Sequence, residues 1–347
     1  MRFFKCVIAA ALAAPLIASV ALADQQGTGK AGGWEKRIAI KPDPSKIVVP
    51  PGYEVKVFAS GLDTPSGVTV DGDGNVWVAI SGPLFGGGEI EKPNVKVFDK
   101  TGKLIKEIGK GTFTTVMNEI GYCAENKKIY IPEYGEKIWE MDGVNGELKL
   151  IVKDLPQGDH RNGGVTCKDG YLYFAIGLPS NTGFADPDNH GWTDIPKDPF
   201  WVAHPDGFPP TPHDPVCRDI VHTGLNVRSA DGRLTGALLP VGVAAKPGQV
   251  IKATVPCGGS IMRVKIDGKG SDGLYAHNKM EVYAYGFRNQ SGVRFGPKGS
   301  RFENALAVSD NGANDLGHRR IANGAEKLFI VTKQGQDAGF PDKEGFG

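Results

Sequence analysis

Four times the chain writes the same short phrase. "GVTVDGDGNVWVAIS" starts at Gly67, "GYCAENKKIYIPEYG" at Gly121, "GVTCKDGYLYFAIG" at Gly164 and "GVRFGPKGSRFENALAVSD" at Gly292. Each sets a glycine before a short apolar run, then a polar turn, then an alternating strand. In the first three an aromatic residue (Trp77, Tyr130, Tyr173) follows the glycine after about nine or ten residues, the spacing of strand, turn and strand. Units one and two continue into two further strands, "VKVFDKTGKLIKEI" (Val95–Ile108) and "KIWEMDGVNGELKLIV" (Lys137–Val152), each divided by an Asp/Gly turn. Four antiparallel strands recurring every roughly 40 to 55 residues make the pattern of β-propeller blades, with a β-sandwich as the competing architecture. A content of 49 glycines and 24 prolines argues against a mainly helical chain.

The third unit carries an insertion, Leu178–Cys257, dense at first in Pro, Asp, His and Trp. Its histidines, His190, His204 and His213, match no strong metal-ligand spacing and read as a solvated loop. Strand patterning resumes at Ser260–Asp267 and at Met280–Gly286, so "VYAYGFRNQSGVRF" spans the last strand of unit three and the first strand of unit four. The sequence stops soon after that unit. "GYEVKVFASGL" (Gly52–Leu62) is the candidate strand for closing a ring of four. The alternative is a six-bladed pattern whose later blades lie outside this sequence.

The start of the chain bears on location. Arg2 and Lys5 precede an apolar run, Val7–Leu22, that ends at Ala21-Leu22-Ala23, and residues 1–23 read as a secretory signal peptide. Residues 24–48 form an N-terminal extension and 49–347 the propeller domain, with the expected location periplasmic or secreted. No later segment is long and apolar enough for a membrane helix. Forty basic and 39 acidic residues leave a formal charge of +1, which gives no electrostatic reason to expect a nucleic acid partner. Cys123, Cys167, Cys217 and Cys257 form an even set in an exported chain and favour disulfides. Cys217 and Cys257 bracket the insertion, and Cys123 and Cys167 occupy matching points of consecutive repeats, so these pairings are expected.

The chemistry-bearing residues lie at unit boundaries. "LPQGDHRNGGV" places Asp159 and His160 just ahead of the inner strand of unit three, and Arg288 and Asn289 stand at the same point of unit four. Turns need no arginine there. First strands of propeller blades surround the central channel, so His160, Arg288 and Asn289 are expected to converge. A histidine can take a hydroxyl proton, and an arginine beside it can steady developing negative charge. Taken singly, His160 also reads as a hydrogen-bonded loop residue and Arg288 as one half of an inter-blade salt bridge.

"GDHRNGGVTCKDGYLYFAIG" and "YAYGFRNQSGVRF", in this order, resemble the soluble quinoprotein glucose/sorbosone dehydrogenases. "SDNGAND" (Ser309–Asp315) followed by "EKLFIVTKQGQDAGFP" (Glu326–Pro341) is similar to that family's next motif. The resemblance implies a six-bladed propeller, of which about four blades are evident here, binding pyrroloquinoline quinone (PQQ) and Ca2+. It implies His160 as the base and Arg288 beside the quinone carbonyls, with Asn289, Asn118 and Asp159 as cofactor contacts. Gly312 and Ala313 fall where main-chain carbonyls hold calcium, with Ala313 standing where the family has proline. The substrate implied is a sugar, and the electrons pass to an external acceptor, a quinone or a cytochrome. Two departures stand out. Leu178 occupies the place of an acidic residue that orients the histidine in glucose-type enzymes, and "IGLPSN" with Ser180-Asn181 is closer to the sorbosone-like branch. The later lysine and arginines that grip the cofactor's carboxylates lie beyond this sequence. Two other readings stay open: an inactive or truncated propeller used for binding, and a metal-dependent propeller hydrolase or lyase.

Overall fold

The computed structural model describes residues 43–82, 91–114, 116–133, 137–156, 160, 162–184, 214–228, 232–313, 319, 321–322 and 324–341. The signal-peptide segment, Asp159, and the three insertion histidines lie outside the described residues. The regular structure among the described residues is strand, apart from two three-residue 3-10 helices. Blade 1 runs in order β1 (Pro65–Val70), β2 (Val76–Ile80), β3 (Asn94–Phe98) and β4 (Leu104–Ile108). Blade 2 repeats this with β5 (Gly121–Cys123), β6 (Lys128–Glu133), β7 (Lys137–Met141) and β8 (Lys149–Val152).

Blade 3 begins with β9 (Asn162–Lys168) and β10 (Tyr171–Ile176), then leaves for the insertion. There, β11 (Ile220–Val221) and β14 (Val250–Ile251) pair, as do β12 (Asn226–Arg228) and β13 (Leu234–Gly236). The blade is completed by β15 (Ser260–Lys265) and β16 (Glu281–Tyr285). Blade 4 shows β17 (Gln290–Phe295), β18 (Leu306–Asp310) and β19 (Lys327–Val331). The chain then crosses back, and β20 (Gln336–Asp337) adds a parallel edge to blade 3 beside β16.

The alternating side chains of each strand decide which neighbour it faces. In β10, Leu172, Phe174 and Ile176 pack with Tyr130, Ile138 and Val152 of blade 2, while Tyr173 and Ala175 pack with Val293, Leu306 and Val308 of blade 4. Both faces are buried, which is why "YLYFAI" is apolar throughout. Blades 1 and 2 meet through Trp77, Ala79 and Val97 against Ile129, Ile131 and Met141.

The repeated glycine has a packing reason. A Cβ on Gly67 would lie 2.8 Å from the Glu119 main chain, one on Gly121 2.5 Å from the Val165 carbonyl oxygen, and one on Gly164 2.6 Å from the Val293 amide nitrogen. Inner strands of successive blades thus touch backbone to backbone, an approach only glycine permits. Arg294 braces the same region: from blade 4 it donates to the Val165 and Ile120 carbonyls, at 3.0 and 3.2 Å, and pairs with Glu119 at 3.0 Å.

The four blades form an open arc. Val68 and Val70, on the face of blade 1 that looks away from blade 2, are 59% and 53% exposed, and Leu328 on blade 4 is 70% exposed. The stretch expected to close a ring, residues 52–62, forms no strand. Instead Ala59 and Leu62 lie on the outer face of blade 1 against Val78, Ile80 and Phe98, with Phe58 edge-on to Phe98. Its alternation serves a face rather than a sheet edge. Both expected disulfides are present: Cys123–Cys167 joins the inner strands of blades 2 and 3, and Cys217–Cys257 clamps the insertion.

Candidate functional site

In three inner strands the pairing slips by one residue near the start. Pro65 faces Ile80 but Gly67 faces Ala79; Asn162 faces Ile176 but Val165 faces Phe174; Gln290 faces Asp310 but Gly292 faces Ser309. Blade 2 has the same extra residue between its Met117–Glu133 bridge and its Gly121–Tyr130 pair. Such bulges turn the chain sharply and re-aim the residues before them. His160 and Arg288 each stand two residues ahead of their strands, at equivalent places.

The bulge turns bring His160 and Arg288 onto one segment, Leu178–Phe184, which leaves the end of β10. His160 Nδ1 lies 2.9 Å from the Leu178 carbonyl oxygen, and the Leu178 N–H donates to the Arg288 carbonyl at 2.8 Å. A carbonyl only accepts, so the proton sits on Nδ1, and Nε2 is the ring's acceptor. The Leu178 side chain points the other way, into an apolar cluster with Val216, Leu238 and Ile251. Both His160 and Arg288 are buried, at 4% and 3% exposure.

Among the described residues the Arg288 guanidinium donates to Asn181 and Asn311. Its Nε donates to the Asn181 carbonyl at 2.7 Å, an Nη to the Asn311 carbonyl at 3.0 Å, and the other Nη to the Asn181 side-chain oxygen. Asp310 fixes the backbone of the same corner, accepting from the Arg288 N–H at 3.1 Å and from the Asn289 N–H at 2.7 Å. Burial pushes the Asp310 carboxyl up to about 6, against the pull of those N–H groups and of the Arg288 charge. Beside Asn181, the Ser180 hydroxyl donates to Asp214 at 2.5 Å, and complete burial lifts that carboxyl to about 7. The Thr182 hydroxyl oxygen and both amide atoms of Gln290 are buried with no hydrogen-bond partner among the described residues.

The remaining residues singled out by sequence fall in two groups. Gly312 and Ala313 continue directly from Asn311, whose N–H donates to the Asn289 carbonyl at 2.9 Å. They run close against 324–326: Gly312 N–H reaches Glu326 at 3.3 Å, and a Cβ on Gly312 would lie 2.5 Å from the Gly324 carbonyl oxygen. The Asn311 amide oxygen accepts from the Ser291 hydroxyl at 3.3 Å. Asn118 is half-buried in the bulged stretch of blade 2, and no hydrogen bond among the described residues joins it to His160 or Arg288. Among the described residues no three His, Cys, Asp or Glu side chains converge on one point.

Sequence reasoning missed Asp310 and gave Asn181 no role. Both carried a signal: Asp310 is an acid that ends an apolar alternating strand, and Asn181 is an amide standing where the resemblance places a change from the glucose-type pattern. An apolar cleft of about 310 Å3 lies behind Leu178 and Phe287, lined also by Phe184, Val216, Leu238 and Tyr285. Neither His160 nor Arg288 lines it.

No protein-family model matches the chain, and no curated protein matches it. Solved structures do resemble it in fold. The PQQ domain of a pyranose dehydrogenase from Coprinopsis cinerea aligns at 13% identity and TM-score 0.45, over 83% of this chain and 56% of that one. The soluble aldose sugar dehydrogenase of Escherichia coli aligns at 12% and 0.43, over 84% of this chain and 68% of that one. A calcium structure of a Trichoderma reesei carbohydrate-active enzyme of family AA12 aligns at 12% and 0.47, over 86% of this chain and 61% of that one. The chain spans little more than half the length of the first of these. Likeness at this level carries nothing about activity, which rests on the residues themselves.

Proposed function

We propose that the protein is a sugar dehydrogenase, periplasmic or secreted, that oxidises an aldose with PQQ and Ca2+ and hands the electrons to an external quinone or cytochrome. One observation carries the reading. A histidine and an arginine that open successive blades, well over a hundred residues apart in sequence, are bound to the two ends of one residue, Leu178.

The residues present suit calcium and the carbonyl edge of the quinone. Calcium takes neutral oxygens, and the Gly312 and Ala313 carbonyls with the Asn311 amide oxygen are of that kind. Arg288, Asn289 and the unsatisfied Gln290 amide are the polar groups for a multiply carbonylated, anionic cofactor. When bound, PQQ supplies the acceptor for the hydride that leaves the sugar carbon. His160, with Nδ1 on the Leu178 carbonyl, directs Nε2 as acceptor for the sugar hydroxyl proton. Arg288, a buried cation, stabilises negative charge that develops nearby. The paired disulfides suit an oxidising compartment. The hydrolase reading draws no support from the described residues.

The purified chain, given PQQ and calcium, is expected to reduce an artificial redox dye when supplied with aldoses, and to melt at a higher temperature with PQQ than without. Absence of both effects would overturn the reading.

A further inference from the structure

We propose that the apolar cleft behind Leu178 and Phe287 is the docking site of the electron acceptor, and that this acceptor is a quinone with an alkyl tail, its ring held by His222 and its tail laid along Val221 and Leu225. The quinone's part as acceptor rests on the dehydrogenase reading; its binding does not.

The ring half of the ligand follows from the lining. Leu178, Phe184, Leu238, Phe287 and Phe340 supply an apolar wall. His222 lines the same cleft and is 8% exposed. Its main chain is pinned, the N–H donating to the Gln249 carbonyl at 2.9 Å and the carbonyl accepting from the Gly248 N–H at 2.8 Å. Its ring makes no hydrogen bond among the described residues, and Nε2 is buried without a partner there. Buried polar groups are normally paired, so an imidazole left open in an apolar cleft marks where a ligand's polar atom belongs. A neutral imidazole donates from one nitrogen and accepts at the other, so it can meet a quinone carbonyl and, after reduction, a hydroquinone hydroxyl.

The tail half follows from the rim. A cleft of about 310 Å3 is at the lower end for ligand pockets, room for one substituted ring and little more. Val221 and Leu225 line it as well, yet are 63% and 77% exposed. Apolar side chains kept in water on the lip of an apolar cleft fit a ligand whose apolar part continues out of it. The charged side chains of the lining have protein partners: Arg218 pairs with Asp337 at 3.3 Å, and Arg319 donates to the Thr182 carbonyl at 2.8 Å.

The cleft also borders the candidate site. Leu178 lines it while its carbonyl binds His160, and Phe287 lines it next to Arg288 in the chain. Oxidation of an aldose to its lactone releases two electrons and two protons. Reduction of one quinone to its hydroquinone takes up the same number, so the couple balances without a further reactant.

The test is calorimetric titration of the full chain, without PQQ, with a decyl-substituted dimethoxybenzoquinone, the same quinone lacking the tail, and decanoate. The tailed quinone is expected to bind saturably, the tailless one about tenfold more weakly, and decanoate not to compete. His222→Leu, which fills similar space without a polar atom, is expected to weaken both quinones about tenfold. Leu225→Asp, a surface change that keeps the test open should His222→Leu not fold, is expected to bring the tailed quinone down to the tailless one's level. No saturable binding of the tailed quinone would overturn the proposal. So would equal binding of decanoate, or wild-type affinity for the tailed quinone in either variant. If the quinone binds as stated but PQQ and calcium give no dye reduction from aldoses, the cleft remains a quinone site and the dehydrogenase reading falls. If dye reduction occurs and the tailed quinone neither binds nor replaces the dye, the proposal falls alone.

Discussion

At the residue scale, the chemistry of His160 turns on what holds its Nδ1. Orientation comes from a main-chain carbonyl at 2.9 Å, so no side chain at position 178 is needed to fix the tautomer. Leu178 is free to serve the apolar cluster behind it, which explains how an aliphatic residue stands there. His160→Ala is expected to lower the rate of dye reduction by about a hundredfold to ten-thousandfold while leaving the PQQ-induced thermal shift in place. Steady-state kinetics with saturating PQQ checks it, and a variant with unchanged turnover would remove His160 from the chemistry.

Asp214 carries a different prediction. Its folded value of about 7 lies above the unfolded one, so the fold retains a proton that the unfolded chain releases. Its contribution to stability is best at low pH, declines as pH rises from about 4 towards about 7, and is level above that. Asp214→Asn, which keeps an acceptor for Ser180, is expected to flatten this decline. It should melt a few degrees above wild type at pH 8 and close to wild type at pH 4. Parallel pH–melting curves for the two proteins would count against it.

At the element scale two features recur: a bulge at the start of every inner strand and, in blades 1 to 3, a glycine where inner strands of neighbouring blades touch. Gly164→Ala would put a methyl 2.6 Å from the Val293 amide nitrogen, where main chain cannot yield cheaply. A loss of about 1–3 kcal/mol is expected, measured by urea unfolding, together with a weaker PQQ response because blades 3 and 4 carry His160 and Arg288. A neutral effect would mean that the blades are less closely packed than described. The glycines and alternating strands were plain in the sequence, because period-two patterning and turn residues are local properties. Residues 52–62 show where that stops: alternation tells which side chains are apolar, but not whether a face or an edge receives them.

At the scale of the whole molecule, the Cys123–Cys167 bond ties together the two blades that flank the channel side of Arg294. Replacing both cysteines by alanine is expected to cost about 2–5 kcal/mol, seen as an earlier urea midpoint, with the blades otherwise intact. Equal midpoints would show that the blade contacts alone hold the arc. The repeat and the pairing of the four cysteines were legible, Cys123 and Cys167 because they sit at matching points of consecutive units and Cys217 and Cys257 because they bracket the insertion. His160, Arg288 and Asn289 could also be singled out, since polar residues at strand seams need a reason. The sequence alone could not say that Asn181 would accept from the Arg288 guanidinium, that Leu178 would offer its carbonyl rather than its side chain, or that Asp310 would grip the backbone. Those contacts cross more than a hundred residues, or depend on which way a bulge turns the chain, and neither is encoded in local pattern. What the sequence by itself determined was the blade, a unit of local strand pairing. The site was decided only when blades 3 and 4 were packed side by side, because its partners come from segments that share no neighbourhood until the fold brings them together.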